Sequence, residues 1–312
     1  MTISISSHET ASDVLFATQK ATKDCLLVAT DGSEWANGAI RMGRLLADQH
    51  GADIELLSVL QMPGIPAFDA AVGAFPEEDS RARQEALHAR VDRQVRMLRV
   101  SGGMPQAEIV VGRPSTTIAS LASARGARVI LTGVGRHNVL DRIAGSETAL
   151  HVLRHSDVPL FAVMRTATRL PRRALIATDF SVPSIRAARA AIDLLGPLTA
   201  IDIVHVLPSG EPKAQVWNAW EETWDGGERG AFERLLDELR IPARTPVDTL
   251  MRRGDPAYQI LRLARQRGSD VIVSGSRGHG FMERLLVGSV AEGLIRGTNC
   301  SVFIVPEPRT HT

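Results

Sequence analysis

Apolar positions along this chain fall into short β-branched or leucine-rich runs, separated by longer segments whose apolar residues recur at helical spacing. Short apolar runs bounded by turn-forming residues read as buried strands, and recurrence at three and four residues reads as helix. Cys25-Leu-Leu-Val-Ala29 is the first strand of this kind, Asp31-Gly32-Ser33 is its turn, and Ala36 to Gln49 is a helix stopped by Gly51. Ile54 to Leu60 predicts a second strand, Ser80 to Val100 a charged helix and Ala107 to Val111 a third strand. Pro114 then opens a helix where proline is tolerated. Val129-Ile-Leu-Thr132 is a fourth strand, and a helix around Leu150 to Arg154 and a strand from Val158 to Val163 close the series. Two stretches fall outside the pattern. Met1 to Asp24 is polar and Ser/Thr-rich, which predicts a loose arm or short helix, and the Pro/Gly-rich segment Met62 to Pro76 is too long for a tight turn and suits a lid.

The same program runs again after the basic linker Arg169-Leu-Pro-Arg-Arg173, with strands at Ala174 to Ala177, Ile201 to Leu207, Val247 to Met251, Val271 to Ser274 and Ser301 to Val305. One constant offset relates Gly112-Arg-Pro114 to Gly254-Asp-Pro256 and Gly133 to Gly275, and it holds without a gap from Gly112 to Val163. A repeat of this length implies duplication of a whole domain, giving an N-terminal domain at 1–168 and a C-terminal domain at 169–312. Strands alternating with helices imply α/β architecture, each half a doubly wound, Rossmann-like parallel sheet covered on both faces.

Composition narrows the function classes. The 312 residues carry a formal charge of +1, so no broad electrostatic footprint for nucleic acid is present. Cys25 and Cys300 have neither metal-ligand spacing nor the density of a disulfide scaffold and read as reduced, buried thiols. The first two dozen residues lack a basic start followed by a long apolar run, and no run reaches membrane-spanning length, so the expected location is cytoplasmic. His151 and His155 lie four apart on a predicted helix, but no third ligand is near in sequence, and a solvated helix face is preferred to a metal site. Trp217, Trp220 and Trp224 share one face of a predicted helix, read either as internal packing or as a lid or oligomer contact. No Ser/His/Asp or Cys/His set with a local catalytic motif appears.

The stretch with a distinct chemistry is Gly275-Ser-Arg-Gly278-His279, running on to Gly288-Ser289-Val290. It follows the strand Asp270 to Ser274 and opens a helix from Val290 to Arg296. Glycines at such a handover let an anion approach peptide N–H groups, and the helix start adds unpaired donors and the positive end of its dipole. An ordinary glycine-rich loop is the plainer reading of any two of these glycines. The full spacing resembles the nucleotide loop of the universal stress protein family: glycine, two residues, glycine, nine residues, then glycine and serine. Ala177-Thr178-Asp179-Phe180-Ser181 resembles that family's first-strand end and Ile203-Val-His-Val206 its second.

The resemblance implies five-stranded sheets of order 3-2-1-4-5, with the ligand at the switch point between strands one and four. It implies ATP, or AMP or ADP, as ligand, with Mg2+ able to accompany the phosphates. Thr178 and Asp179 would then serve the adenine and ribose side, and the backbone of Val206 the adenine edge. Gly275, Arg277, Gly278 and His279 would wrap the ribose and phosphates, and Gly288, Ser289 and Val290 would donate from the helix start. For Asp179 a turn-forming role stands beside the ligand role, and for His205 a core role. The resemblance further implies a regulator of stress response whose halves pair through their apolar last strands as an internal pseudo-dimer, with a homodimer conceivable on top. A slow ATPase and a structural interaction module with a vestigial pocket are the alternatives.

The first half departs from this pattern. Aligned without gaps, it offers Arg136 for the second glycine and Ser146-Glu147 where Gly288-Ser289 stand, although Asp31 is retained. A gapped alternative keeps Gly135 and Gly145-Ser146. Under the gap-free alignment, Glu147 falls in a helix's first turn and repels phosphate, so one nucleotide per chain is expected, in the C-terminal half.

Overall fold

A computed structural model of the chain describes residues 5–6, 24–61, 77–98, 106–134, 142–207, 227–277 and 287–307. It divides into two compact units, Met1–Arg169 and Leu170–Thr312. Expectations that fall on Met62 to Pro76, on Arg136, on the three tryptophans at 217, 220 and 224, and on Gly278 and His279 lie outside the described residues.

Unit 1 contains β1 (Ile5–Ser6), β2 (Cys25–Thr30), α1 (Asn37–His50), β3 (Asp53–Leu60), α2 (Glu77–Met97), β4 (Gln106–Val111), α3 (Pro114–Ala124), β5 (Ala127–Val134), α4 (Arg142–His155) and β6 (Leu160–Met164). Its strands lie in the order β1-β4-β3-β2-β5-β6, and every pair is parallel. Unit 2 contains β7 (Arg173–Ala177), α5 (Val182–Leu195), β8 (Ala200–Leu207), α6 (Gly227–Leu239), β9 (Val247–Arg253), α7 (Pro256–Arg267), β10 (Val271–Gly275), α8 (Ser289–Gly297) and β11 (Ser301–Val305). Its order is β11-β10-β7-β8-β9, again parallel throughout. Apart from the added β1, both units realise the order 3-2-1-4-5, with the reversal beside the first strand of each. Central strands with both faces covered explain the continuous apolar runs: Leu26, Leu27, Val28 and Leu175, Ile176 are all fully buried.

Helix ends follow the local signals. Pro114 and Pro256 open α3 and α7, the Asp255 side chain accepts from the N–H of Tyr258, and Ser181 accepts from the N–H of Ser184 to start α5. Among the described residues, no helix is long and apolar enough to cross a membrane.

Two expectations change. Part of the N-terminal arm is neither loose nor helical: Ile5 and Ser6 pair in parallel with Ile109 and Val110 and extend the sheet edge. Helix α4 begins at Arg142, well before Leu150, so Ser146 and Glu147 sit inside it and its first turn carries no acidic residue. The sequence from Arg142 to His155 holds no proline, and one internal glycine is too weak a breaker to delay the helix.

Each unit also ties the amino-terminal side of its sheet with one arginine. In unit 1, Arg125 donates to Glu55 at 2.6 Å and to Glu108. Burial lowers the Arg125 pKa, but the two carboxylates more than reverse this. In unit 2, Arg267 reaches Asp248 at 3.1 Å and the buried Asp202 at 3.6 Å.

Candidate functional site

The candidate crevice of unit 2 lies at the carboxyl ends of β7 and β10, where the strand order reverses. Beyond β7 the chain makes a turn held by two side chains. The Thr178 hydroxyl accepts from the N–H of Phe180 at 2.9 Å, and the Asp179 carboxylate accepts from the N–H of Ser181 at 3.1 Å and from its hydroxyl at 2.5 Å. Phe180, between them, has φ +61°. A bulky residue in the left-handed region is held there against a conformational preference for the opposite sign. The holding is visible, since Phe180 is buried against the ring of His205 at 4.9 Å and edge-on to Phe232 at 5.0 Å. His205 hydrogen-bonds the Thr178 carbonyl through Nδ1 at 2.8 Å and is itself buried, so it takes the core role.

Unit 1 builds the same turn from Thr30-Asp31-Gly32-Ser33. The N–H of Gly32 donates to the Thr30 hydroxyl at 2.9 Å, the N–H of Ser33 donates to Asp31 at 2.9 Å, and Gly32 has φ +76°. Glycine meets that angle without strain. The closeness of α2 also demands it, because a Cβ at Gly32 would lie 2.9 Å from the Cβ of Arg90. The turn-forming role of the aspartate is therefore present in both units.

On β8, the Val204 carbonyl accepts from the N–H of Thr178. Strand alternation then turns the backbone groups of Val206 to the same side, just past the last residue of β7 and toward the crevice. The Val206 side chain is buried.

The other wall is made by β10 and α8. Gly275 ends β10, Ser276 and Arg277 follow, and Gly288 precedes Ser289, the first residue of α8. The N–H of Gly288 donates to the Ser276 carbonyl at 2.9 Å, which stitches the two ends of the intervening loop together. Gly288 has φ −62°, so its lack of a side chain answers proximity rather than a left-handed angle: a Cβ there would stand 3.0 Å from the Ser276 carbonyl oxygen. Among the described residues no side chain caps α8; Ser289 is exposed and Val290 half-buried at its start. Arg277 does not stand alone, since its Nη1 lies 3.5 Å from Glu307, whose N–H is held by the Ser276 hydroxyl. Thr178, Asp179, Val206, Gly275, Arg277, Gly288, Ser289 and Val290 thus lie at one end of one sheet.

The model of the Universal stress protein family matches this chain twice, over residues 24–164 and 171–306. This chain belongs to the universal stress protein family. A universal stress protein of Mycolicibacterium smegmatis is 25% identical over 306 residues, spanning 92% of this chain and 98% of its own. One from Methanocaldococcus jannaschii is 30% identical over 155 residues, 48% of this chain and 91% of that protein. The crystal structure of a universal stress protein from Archaeoglobus fulgidus superposes with a TM-score of 0.61 at 20% identity, covering 91% of this chain and 96% of that one, which supports the fold. Tandem universal stress protein domains account for the duplicated sheets.

In the first of these domains the end of β5 packs more closely on the backbone before α1 than the end of β10 packs on its own neighbours in the second. A Cβ on Gly133 would lie 2.3 Å from the carbonyl oxygen of Trp35, whereas the nearest atom to one on Gly275 is 3.2 Å away. Glu147 lies 3.8 Å from His151 within α4, and His155 bonds the His151 carbonyl at 2.7 Å, so these groups serve the helix. Among the described residues no cluster of three metal-ligating side chains occurs.

Sequence reasoning missed Gln94 of α2, a buried amide that accepts from Thr30 at 2.7 Å and donates to the Ser33 carbonyl at 2.9 Å and to Asn37 at 3.2 Å. Its signal was a polar residue on the apolar stripe Leu87, Val91, Val95. In unit 2 the equivalent threonine is met by the Ser184 hydroxyl at 3.0 Å, and unit 1 has Ala36 in that place.

Proposed function

We propose that this universal stress protein binds an adenine nucleotide, ATP in the first instance, in the crevice of its second unit and acts as a regulator in a stress response. The observation that carries the reading is the start of α8. Helix α8, preceded by Gly288 and without a side-chain cap among the described residues, faces the turn at Asp179 across the switch point, and its first N–H groups suit a phosphate. The residues fit the ligand in kind. Small residues stand at Gly275 and Gly288, the backbone of Val206 offers a donor and an acceptor to the adenine edge, and Asp179 can accept from a ribose hydroxyl. Arg277 serves the phosphates by exchanging Glu307 for them, and the family's loop spacing assigns Gly278 and His279 to the same ligand. A Mg2+ ion would be carried in by the phosphates and keep most of its waters.

No positioned base or water-orienting group is assigned, so binding rather than turnover is the proposed activity. The test is calorimetric titration of the purified chain with ATP, followed by assay of released phosphate. Saturable ATP binding without steady phosphate release supports the reading. Steady turnover would make the protein a slow ATPase, and no binding at all would leave a structural interaction module.

A further inference from the structure

The outer edges of the two sheets differ. In unit 1 the third strand in sequence of the repeat, β4, has β1 laid along it, with Ile5 opposite Ile109 and Ser6 opposite Val110. In unit 2 the equivalent strand β9 pairs with β8 on one side, and among the described residues no strand lies along the other. Asp248, Thr249 and Arg253 are exposed, and two adjacent exposed residues mean that neither face is covered there. A seven-residue strand with an open edge is a template for another strand.

The backbone pattern fixes which groups that edge offers. The Pro246 carbonyl accepts from the N–H of Ile201, and the N–H of Gly254 donates to the Leu207 carbonyl, so even-numbered residues of β9 turn to β8. Residues 247, 249, 251 and 253 therefore turn outward. Two outward carbonyls are held by local side chains, Met251 by Arg252 Nη1 at 2.7 Å and Arg253 by Gln259 Nε2 at 3.0 Å.

We propose that this edge pairs antiparallel with the same edge of a second copy of the chain, about a twofold axis at Leu250. That residue is the midpoint of β9, so the whole strand overlaps. The register also satisfies the alternation: Val247 meets Arg253 and Thr249 meets Met251 as hydrogen-bonded pairs, while Leu250 meets Leu250 and Asp248 meets Arg252 as the closer, non-hydrogen-bonded pairs. A shift by one residue would set outward groups against inward ones. Opposite charges thus face each other twice across the axis, with an apolar pair between them. Arg252 exchanges the Met251 carbonyl for Asp248 of the other copy, which frees that carbonyl for the ladder. Unit 1 cannot pair in this way because β1 already covers its edge.

The test uses the full chain. Leu250→Cys places two thiols on a non-hydrogen-bonded pair about 4.5 Å apart at Cα, within disulfide range. Cys25 and Cys300 do not compete: burial, with the Glu55 charge, pushes the Cys25 thiol up to about 12, and burial raises that of Cys300. Mild oxidation should give a covalent dimer. Adding Thr249→Pro, which removes an outward N–H and leaves the β8 ladder intact, should abolish it. In sedimentation of the protein without added cysteine, Arg252→Asp should weaken the dimer about tenfold, whereas Arg252→Lys, which keeps the charge opposite Asp248, should largely retain it. A wild-type chain that stays monomeric at high concentration, a dimer that Leu250→Cys cannot trap, or one indifferent to Thr249→Pro would overturn the proposal.

Discussion

At the residue scale, Asp179 serves two masters, and its counterpart separates them. The carboxylate builds the turn after β7 and, in the proposed function, meets the ribose. Asp31 builds the same turn in the unit for which no nucleotide is proposed. Asp31→Ala should therefore cost only stability, about 1 kcal/mol for a lost side-chain hydrogen bond. Asp179→Ala should cost a similar amount and also weaken ATP binding by about 1 to 3 kcal/mol, as read by paired melting curves and calorimetry. Equal loss of ATP and inorganic triphosphate affinity would remove Asp179 from the adenine and ribose side. Such a residue was legible in the sequence as a turn former. That both units use it in one way was not, because hydrogen-bond partners two residues apart leave no periodic trace.

Asp202 gives a residue-scale prediction about pH. Burial raises its pKa, with Arg267 and Arg173 pulling in the opposite direction and failing to cancel it. For a carboxyl whose folded pKa lies above its unfolded value, the associated stability is present below the unfolded pKa and is lost as pH rises through the folded one. The stability of wild-type relative to Asp202→Asn should accordingly fall as pH rises from about 4. Melting temperatures of both proteins at pH 4 and pH 7 check this; a difference that stays constant, or moves toward wild-type at pH 7, contradicts the assigned burial effect.

At the element scale, the strands and most helices were readable because buried parallel strands are short, apolar and bounded by turns, a signal contained in the sequence alone. The start of α4 was not readable in this way. An alignment between halves set Ser146-Glu147 against Gly288-Ser289, whereas helix propensity carries α4 back to Arg142. The attachment of α2 was equally hidden, because it depends on what unit 1 lacks. With Ala36 in place of a hydroxyl, Thr30 turns to Gln94, and that amide also holds the Ser33 carbonyl at the start of α1. Gln94→Leu leaves the buried Thr30 hydroxyl without its acceptor and removes the part-buried bonds to the Ser33 carbonyl and Asn37, and it should destabilise the chain by about 1 to 3 kcal/mol in denaturant unfolding. Ala36→Ser in the same background should recover part of the loss by giving Thr30 the partner Thr178 has. No recovery would mean that the contact of Gln94 with α1, rather than with Thr30, is what fastens the helix.

At the scale of the whole molecule, duplication gave two similar sheets that have diverged at their carboxyl ends. The charge argument for unequal sites does not survive, since Glu147 lies within α4 and beside His151 rather than at a helix start. The units also differ in how the end of the fourth strand packs. The Trp35 carbonyl fills the space beside Gly133 to within 2.3 Å of where a Cβ would sit, while unit 2 leaves 3.2 Å at Gly275. One ATP per chain is expected from the glycine and serine spacing that only the second half keeps. Gly288→Val should abolish that binding in the intact protein, because its side chain would intrude where the Gly288 N–H bonds Ser276 and where phosphate would meet α8. Its φ of −62° suits valine, so the loss would report blocked approach rather than backbone strain. Calorimetric stoichiometry decides the matter. Two equivalent sites, or one site that persists unchanged in Gly288→Val while Asp31→Ala removes it, would place the nucleotide in unit 1 and reverse the assignment of the two halves.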